Sequence, residues 1–347
     1  MAEVDLERYR LRKSVHHQIF ESEIVPERLE PVTPQPHPVV VFIGGQPGAG
    51  KTATTDMIKH TMGLRGPVAH VCGDFYKPYH PDYSRLMDED ERTAGAFTRL
   101  DTRLWHSAAE DWARSRGCHT IVETALADPE EFRRVAADFR AAGFRVEVAV
   151  MAVPEALSRL GIVARYLEQA AVHGRGRFVA KSNHDACYRG VPETTAAIEA
   201  RYLADNVMVF RRGAVVVAAA ERDAEGNWAG TPQFAEAVKT ERSRAWGTTA
   251  SLKFCMSLNR IAQQGGPTWH PELREIARLA APLAVGGTPL EAAAEGRADA
   301  SFRAVAGLSR ARSAGLLPTD ASGPAPPITS SRPRHSRPRQ VRALTRG

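Results

Sequence analysis

The sequence has few cysteines and no long apolar run, and both absences narrow the class of protein. The four cysteines, Cys72, Cys118, Cys187 and Cys255, lie far apart, form no CxxC pair and have no histidine cluster beside them. This spacing indicates neither a zinc site nor a disulfide framework and favours reduced thiols. No stretch approaches the ~18 consecutive apolar residues of a membrane helix, and the N-terminus lacks a hydrophobic signal region. We therefore expect a soluble, cytoplasmic protein without a membrane partner.

Acidic residues are almost missing from the C-terminal part of the chain. Residues 301–347 contain nine arginines, no lysine and one acid, Asp320, whereas the net charge of the whole chain is +6. The remainder is therefore near neutral, and the basic charge is not spread over a folded surface. From Pro318 onward proline, serine and arginine predominate with few apolar residues, which predicts a disordered tail over residues 318–347.

Strand-like and helix-like segments alternate in the middle of the chain. Val39–Ile43 is a continuous apolar run, typical of a strand buried on both faces of a parallel sheet. The pattern predicts further strands at 68–72, 120–122 and 145–153, a hairpin at 207–210 and 214–219, and helices at 54–62, 103–116, 130–142, 155–171 and 193–203, with a polar loop at 173–185. This alternation predicts an α/β fold, in which a mostly parallel sheet carries helices on both faces.

The two ends of the chain differ from this α/β segment. Residues 5–23 have helical periodicity, and Pro26 and the following prolines predict that this helix ends there. We therefore expect residues 1–38 to form an N-terminal helix and a proline-rich connector, and residues 39–245 to form the main domain. A partly helical extension is expected over 246–317, with a short helix at 272–281 and alanine-rich helical potential at 290–316.

A glycine-rich motif follows the first strand directly. It consists of Gly45, Gln46, Pro47, Gly48, Ala49, Gly50, Lys51 and Thr52. In such a loop the backbone N–H groups and the positive end of the next helix surround phosphate oxygens. The lysine reaches the β- and γ-phosphates, and the hydroxyl binds Mg²⁺. The motif predicts a P-loop NTPase-type sheet that binds ATP and Mg²⁺, because a simple turn needs neither Lys51 nor Thr52.

Two carboxylates follow neighbouring predicted strands. Asp74 comes two residues after the strand at 68–72, and Glu123 directly follows the strand at 120–122. Open α/β sheets bind ligands at the carboxyl ends of their strands, so Asp74 is a candidate base for an acceptor hydroxyl, and Glu123 is expected at the same edge of the sheet. The alternatives are a turn-capping role for Asp74 and a helix-capping or surface role for Glu123.

Arginines near the predicted polar loop are candidates for stabilising a transferred phosphoryl group. Arg175 and Arg177 lie in that loop, and Arg165 lies on the preceding helix. Phosphoryl transfer spreads negative charge over oxygens that such arginines can bind, although most arginines of a protein are simply solvated. No apolar strand ends in a clear second Mg²⁺ ligand unless Asp74 itself faces the metal.

Several motifs, in their order along the chain, resemble the zeta toxin family. They are the glycine-rich motif at 45–52, Asp74-Phe75-Tyr76-Lys77 with His80-Pro81, Val150-Met151-Ala152-Val153-Pro154, Arg165-Tyr166 and Arg177. The resemblance covers about residues 10–215. It implies an ATP-dependent kinase of the P-loop superfamily that phosphorylates the 3'-hydroxyl of the amino sugar of UDP-N-acetylglucosamine.

The resemblance also implies roles for individual residues. Lys51 and Thr52 would hold the ATP phosphates and the metal, and Asp74 would be the base on the sugar hydroxyl. Glu123 would help to bind the sugar, while Arg165 and Arg177 would contact the phosphates in the transition state. Zeta toxins are commonly inhibited by a small helical antitoxin that blocks the ATP site, so such a partner is expected.

One departure leaves the acceptor open. Family members often continue the glutamate strand as Glu-Gly-Thr, whereas this chain has Glu123-Thr124-Ala125. A first alternative is a related phosphotransferase that acts on another hydroxyl, such as that of an antibiotic. A second is a nucleic-acid-associated ATP-binding protein that uses the arginine-rich tail. The second is less favoured, because no aromatic residue follows Phe302 to stack on bases.

Overall fold

The computed structural model describes residues 7–285, and a six-stranded sheet lies at its centre. The strands are β1 Val39–Gly44, β2 Ala69–Cys72, β3 Thr120–Thr124, β4 Arg145–Met151, β5 Asn206–Arg211 and β6 Val215–Glu221. Their order across the sheet is β2-β3-β1-β4-β5-β6. The first five are parallel, and β6 pairs antiparallel with β5 at one edge. The predicted mostly parallel sheet and the terminal hairpin are confirmed.

Helices connect the strands and continue beyond the sheet. They are α1 Lys13–Ile19, α2 Lys51–Gly63, α3 Gly73–Tyr76, α4 Tyr83–Asp90, α5 Ala94–Phe97, α6 Arg99–Arg116, α7 Pro129–Ala141, α8 Glu155–His173, α9 Lys181–Ala200, α10 Phe234–Ser243, α11 Thr248–Gly265 and α12 His270–Ala280. No helix within residues 7–285 combines the length and apolar character that crossing a membrane requires.

Strand β1 shows why helices cover both faces of the sheet. Successive side chains of a strand point to opposite faces. Val40 and Phe42 pack in one core cluster with residues of α6, α7, α9 and α10. Val41 and Ile43 pack in a second cluster with Ile58 of α2. The continuous apolar run of β1 therefore contributes side chains to the hydrophobic cores on both faces of the sheet, as expected for a strand that is buried on both sides.

The N-terminal helix differs from its prediction at both ends. Helix α1 begins at Lys13, and the chain then continues as a π-helix from Phe20 to Leu29, with Pro26 inside it. The expectation that Pro26 ends the helix is wrong. A π-helix has a wider hydrogen-bond spacing than an α-helix, as seen where the Glu30 N–H bonds to the Val25 carbonyl. With this spacing the helix continues through Pro26, although proline has no N–H to donate.

Helix α9 also differs from its prediction. It begins at Lys181 within the predicted polar loop, and it contains Pro192 although the helix was expected to start at Glu193. The first turns of α9 bury the side chains of His184, Cys187 and Val191. The polar composition of this segment does not indicate a buried face. Gly190 permits close packing, because a Cβ there would overlap the Ala127 carbonyl. Tertiary packing therefore outweighs the helix-breaking tendency of this segment.

Several further helices were not predicted. They are α3, α4 and α5, which lie between β2 and α6, and α10 and α11, which follow the sheet. Helix α2 begins at Lys51 rather than at Thr54, so the glycine-rich motif leads directly into it. The predicted helix at 272–281 is confirmed as α12. The helical potential at 290–316 and the tail at 318–347 lie outside the described residues.

Helices α11 and α12 pack against α8. Leu160 and Val163 of α8 share a buried cluster with Phe254 of α11 and Ile276 of α12. Arg159, whose side chain is 3% exposed, donates from Nε to Glu272 at 3.1 Å and pairs with Glu275 at 2.9 Å, both on α12. Helix α8 thus contacts both the sheet and the helices of the predicted C-terminal extension.

Truncation of a buried α12 side chain tests this packing. We expect Ile276→Ala, at a fully buried position, to lower the free energy of unfolding by about 2–5 kcal/mol because it removes buried methyl groups and leaves a cavity. Chemical denaturation measures the change. Arg278→Ala, at an exposed position on the same helix, is the matched control. An Ile276 variant as stable as this control would show that α12 adds little to the domain.

Candidate active site

The glycine-rich motif forms an open loop between β1 and α2. Gly48 and Gly50 have φ angles of +76° and +81°, in the left-handed region that favours glycine. Gly50 is the N-cap of α2, so the loop joins the helix at its positive end. Backbone N–H groups at such an end, with the helix dipole, form an anion site. The predicted strand, loop and helix are confirmed.

Helix α8 packs directly on this loop. A Cβ at Gly48 would overlap the Ser158 carbonyl oxygen, and a Cβ at Gly161 would lie 2.7 Å from the Gly48 carbonyl oxygen. Neither position has room for a side chain unless the helix moves. The contact fixes the position of α8 relative to the phosphate-binding backbone.

The side chain of Gln46 anchors the loop from the other side. Its Nε2 donates to the Val153 carbonyl at 2.9 Å, and its Oε1 accepts from Nη2 of Arg242 at 3.0 Å. Arg242, on α10, also donates to the Tyr188 carbonyl at 2.7 Å and lies over the Tyr188 ring. Gln46 therefore holds the loop in place with its side chain. Sequence reasoning missed Arg242, because no local motif connects residues 196 positions apart.

Lys51 and Thr52 lie in a cavity of about 730 Å³ over the loop. The lining also includes Pro47, Gly48, Ala49, Gly50, Glu123 and Arg165. Lys51 Nζ donates to the Gly45 carbonyl at 2.8 Å. Burial lowers the pKa of Lys51, and the nearby carboxylates of Glu123 and Asp74 oppose this. The Thr52 side chain is exposed to the cavity.

Glu123 is brought to the loop by the sheet register. It lies opposite Ile43 of β1 and Cys72 of β2. Its carboxylate accepts from the Thr55 hydroxyl at 3.3 Å and lies 3.0 Å from Nε2 of His70. Burial acts to raise the pKa of Glu123, but the hydrogen bond with His70 and the charge of Lys51 lower it. Glu123 is therefore an ionised group in the cavity wall.

Asp74 occupies the first turn of α3, just after β2. Its Oδ1 lies 3.0 Å from Lys77 Nζ, and its Oδ2 lies 2.8 Å from Arg177 Nη2. Burial acts to raise the pKa of Asp74, but these two cations outweigh it and hold the pKa well below its usual range. The carboxylate is thus ionised and paired at both oxygens, which makes it a poor candidate for a metal ligand. The sequence did not indicate a role for Lys77.

Arg165 projects from α8 into the cavity without an acidic partner. Among residues 7–285 it forms no ion pair, and its buried Nε has no hydrogen-bond partner. Burial lowers the pKa of Arg165 to about 10, and the neighbouring Arg177 adds to this effect. A partly buried guanidinium that forms no ion pair is costly, so the site is suited to an anionic ligand.

The segment between α8 and α9, residues 174–180, is attached to α4 and to Glu91, the C-cap residue of that helix. The Gly176 N–H donates to Oε2 of Glu91 at 2.8 Å, and the Tyr166 hydroxyl donates to the other carboxylate oxygen. Arg175 forms an ion pair with Asp88 instead of entering the site. Of the two arginines predicted in this loop, Arg177 therefore contacts the site and Arg175 contacts α4.

These groups together match what phosphoryl transfer requires. The cavity offers backbone N–H groups and Lys51 for phosphates, the Thr52 hydroxyl as an oxygen that can bind a metal ion, and Arg165 for developing negative charge. Next to it, an ionised Asp74 can accept a hydrogen bond from a hydroxyl group.

Comparison with known proteins agrees with this description. The family model described as Zeta toxin matches residues 24–223. Toxin PezT of Streptococcus pneumoniae serotype 4 (strain ATCC BAA-334 / TIGR4) is 24% identical over 176 residues, which cover 50% of this chain and 69% of that protein. Toxin zeta of Streptococcus agalactiae is 24% identical over 179 residues, which cover 51% of this chain and 62% of that protein.

A solved structure shows the same fold. A chain from the PezAT chromosomal toxin-antitoxin system of the human pathogen Streptococcus pneumoniae superposes with a TM-score of 0.61 at 18% sequence identity. The match covers 77% of this chain and 99% of that chain. At this identity the likeness establishes the fold alone, an α/β fold with a mostly parallel sheet.

Removal of the lysine beside Asp74 tests the electrostatics of the site. We expect Lys77→Gln to raise the pKa of Asp74, because burial then opposes ionisation with Arg177 as the main remaining counter-charge. In the wild type the carboxylate stays ionised well below its ordinary pKa of 3.8, whereas in the variant it is protonated at a higher pH. The ¹³C NMR titration of the carboxyl carbon, assigned with Asp74→Asn, measures the difference. An unchanged titration, as expected for the exposed-site control Lys59→Gln, would contradict the pairing.

Proposed function

We propose that this chain, which belongs to the zeta toxin family, is an ATP-dependent kinase. In the proposed reaction the γ-phosphoryl group of ATP passes to a hydroxyl of a small molecule. The first acceptor to test is the 3'-hydroxyl of the amino sugar of UDP-N-acetylglucosamine. One observation supports the proposal: a phosphate-binding loop shares its cavity with Arg165, whose buried Nε has no hydrogen-bond partner among the described residues, and Asp74 lies nearby in ion pairs with Lys77 and Arg177.

The loop and Lys51 are proposed to bind the triphosphate. Lys51 Nζ would exchange its bond to the Gly45 carbonyl for bonds to phosphate oxygens, whose negative charge offsets the loss of hydration on burial. The exposed hydroxyl of Thr52 could bind Mg²⁺ together with phosphate and water oxygens, because Mg²⁺ prefers oxygen ligands. When bound, this ion neutralises charge on the β- and γ-phosphates. Asp74 is not needed as a ligand, because both of its oxygens are ion-paired.

Asp74 is proposed to orient the acceptor. The acceptor oxygen attacks the γ-phosphorus, the bond to the ADP oxygen breaks, and the hydroxyl proton passes to Asp74. Because its pKa is strongly lowered, Asp74 is a weak base that acts mainly as a hydrogen-bond acceptor, and proton transfer comes late. A loose transition state with little bond formation to the attacking oxygen needs no stronger base.

Arg165 and Arg177 are proposed to stabilise the transferred group. Arg165 has free donors in the cavity, whereas Arg177 is held through its pair with Asp74, at 2.8 Å. An acceptor hydroxyl on Asp74 would therefore lie beside both guanidinium groups. Positive charge fixed before the reaction costs no reorganisation when negative charge develops on the phosphoryl oxygens.

The residues at and after Glu123 are proposed to select the acceptor. Where the family has glycine, Thr124 accepts a hydrogen bond from the Leu126 N–H at 3.1 Å, which leads the chain into a turn with Leu126 at φ +51°. The ionised Glu123 can accept hydrogen bonds from sugar hydroxyl or amide groups. This favours a polar, hydroxyl-rich acceptor. An antibiotic hydroxyl is the alternative outcome of an acceptor screen.

A protein partner is part of the proposal. The solved structure that shares the fold comes from a toxin-antitoxin system. By analogy, we propose that a small helical antitoxin covers the nucleotide site of this chain in the cytoplasm.

An acceptor screen with an Asp74 variant tests the reaction. We expect ³²P transfer from labelled ATP to UDP-N-acetylglucosamine, and we expect Asp74→Asn to reduce kcat by about 10²–10⁴-fold while ATP binding is retained. Asp138→Asn, at an exposed position on α7, is the matched control. Substantial turnover by the Asp74 variant would rule out its assigned role. Transfer to a different acceptor would retain the kinase assignment but replace the proposed substrate.

Truncation of Arg165 tests transition-state stabilisation separately. We expect Arg165→Ala to lower kcat by about 10³-fold or more, with a smaller effect on the KM for ATP, because its charge is used mainly when negative charge develops. Steady-state kinetics separates the two parameters. Arg134→Ala, at an exposed position on α7, is the control. A large rise in KM at constant kcat would instead assign Arg165 to ground-state binding.

A further inference from the structure

A group of polar side chains joins the first turn of α8 to the first turns of α9. Glu155 belongs to α8, and His184 and Asp185 belong to α9. One donor atom from each side chain, an imidazole nitrogen and two carboxylate oxygens, lies within 4.8 Å of the other two. None of the three residues lines the cavity over the phosphate loop. The proposed phosphoryl transfer therefore gives this group no role.

Ser158 fixes the orientation of the His184 ring. The Ser158 hydroxyl donates to the Glu155 carbonyl at 3.1 Å, and Nε2 of His184 lies 2.8 Å from the same hydroxyl. A hydroxyl has a single proton, so a hydroxyl that donates to the carbonyl accepts a hydrogen bond from the Nε2–H. Nδ1 is then the nitrogen that faces the carboxylates. Histidines that bind metals through one nitrogen commonly donate the other N–H to a neighbouring group in this way.

The contact between His184 and Asp185 requires a positive particle. Nδ1 lies 3.0 Å from Oδ1 of Asp185, and two lone pairs at this distance repel each other unless a proton or a metal ion lies between them. His184 is 1% exposed, whereas the side chains of Glu155 and Asp185 are 28% and 24% exposed, so a cation can reach the group from the carboxylate side. Ser158 is fully buried, so the arrangement does not offer a nucleophile to an external substrate.

Two neighbouring cations contact only one oxygen of each carboxylate. Lys181 Nζ lies 3.2 Å from Oδ2 of Asp185, and Arg159 Nη1 lies 3.4 Å from Oε1 of Glu155. Arg159 forms its shorter ion pairs with α12. Asp185 therefore keeps Oδ1 for a cation beside His184, and Glu155 can turn its second oxygen toward the same point.

We propose that Glu155, His184 and Asp185 form a binding site for a first-row divalent metal ion, with Zn²⁺ as its probe. Imidazole suits Zn²⁺ and related ions, whereas Mg²⁺ prefers oxygen ligands alone. Zn²⁺ bonds of about 2.0–2.2 Å place ligand atoms about 3–4 Å apart, so a small rotation of Glu155 completes the three ligands and water takes the fourth position. On binding, a proton held at Nδ1 passes to solvent. The ion joins the starts of two helices whose connecting segment carries Arg177.

Zn²⁺ titration of the full chain, stripped of metal with a chelator and free of nucleotide and acceptor, tests the site. We expect Zn²⁺ to raise the unfolding temperature of the wild type, because a ligand that binds only the native state stabilises it. Asp185→Asn and Glu155→Gln keep the side-chain shape but lose the charged ligand. We expect each to weaken Zn²⁺ binding by at least about 100-fold, since loss of an outer partner alone typically costs about 10–100-fold. Competition with a chromophoric chelator measures the affinity.

Lys181→Gln is the matched control on the same carboxylate. It removes the ion pair with Asp185 but no metal ligand, so we expect Zn²⁺ to bind at least as tightly as in the wild type, because a nearby positive charge is lost. The absorption spectrum of bound Co²⁺ identifies the ligand type. We expect visible bands without the near-ultraviolet band of a thiolate ligand, which separates this site from the free cysteines.

Three results would overturn the proposal: no stabilisation of the wild type by Zn²⁺, equal Zn²⁺ affinity in Asp185→Asn and Glu155→Gln, or a thiolate band in the Co²⁺ spectrum. Variants that are less stable without metal but show no metal-dependent difference would assign the group to an ion-pair network instead. None of these measurements involves phosphoryl transfer, so their outcome is separate from that of the acceptor screen.

Discussion

The contact between helix α8 and the phosphate loop is the constraint on which the other features depend. The helix backbone lies so close to Gly48 that only glycine fits there, and Gly161 allows the same approach from the helix side. A packed contact between two backbones has little freedom to shift. It therefore sets the distance between Lys51 on the loop and Arg165 two turns along the helix. Through Arg159 and its apolar side, the same helix also positions α11 and α12. One element thus connects the phosphate-binding backbone, the charged site and the C-terminal helices.

Positive charge without matching acids carries an energetic cost in this arrangement. Burial lowers the pKa of both Lys51 and Arg165, which means that the folded protein holds these charges at a disadvantage relative to water. Glu123 and Asp74 compensate for only part of this, and Asp74 is already committed to Lys77 and Arg177. A bound polyanion supplies the missing counter-charge. Ligand binding and fold stability are therefore coupled, since a ligand that binds only the native state stabilises it.

The sequence predicted those parts of the fold and site that depend on local patterns. The apolar run at Val39–Ile43, the glycine spacing and the placement of Asp74 and Glu123 after strands are all local, and the sheet register brings these groups to one edge. Features that depend on long-range packing were not predictable. The bond between Gln46 and Arg242 and the position of Arg212 on Gly50 join distant segments that have no shared motif. The helix through Pro192 also differs from its prediction, because tertiary contacts there outweigh the local preference of proline.

The attachment of the Arg177 segment to α4 has a kinetic consequence. Glu91 holds both Tyr166 and the Gly176 N–H, and Arg175 pairs with Asp88, so this segment is not a free flap. It can open only if these charged contacts break or if α4 swings with it. Concerted movement of packed elements takes microseconds to milliseconds, whereas an unattached loop fluctuates within nanoseconds. In the proposed reaction, product release that requires this segment to open would therefore depend on contacts at and beside α4, which lie away from the phosphate-binding groups.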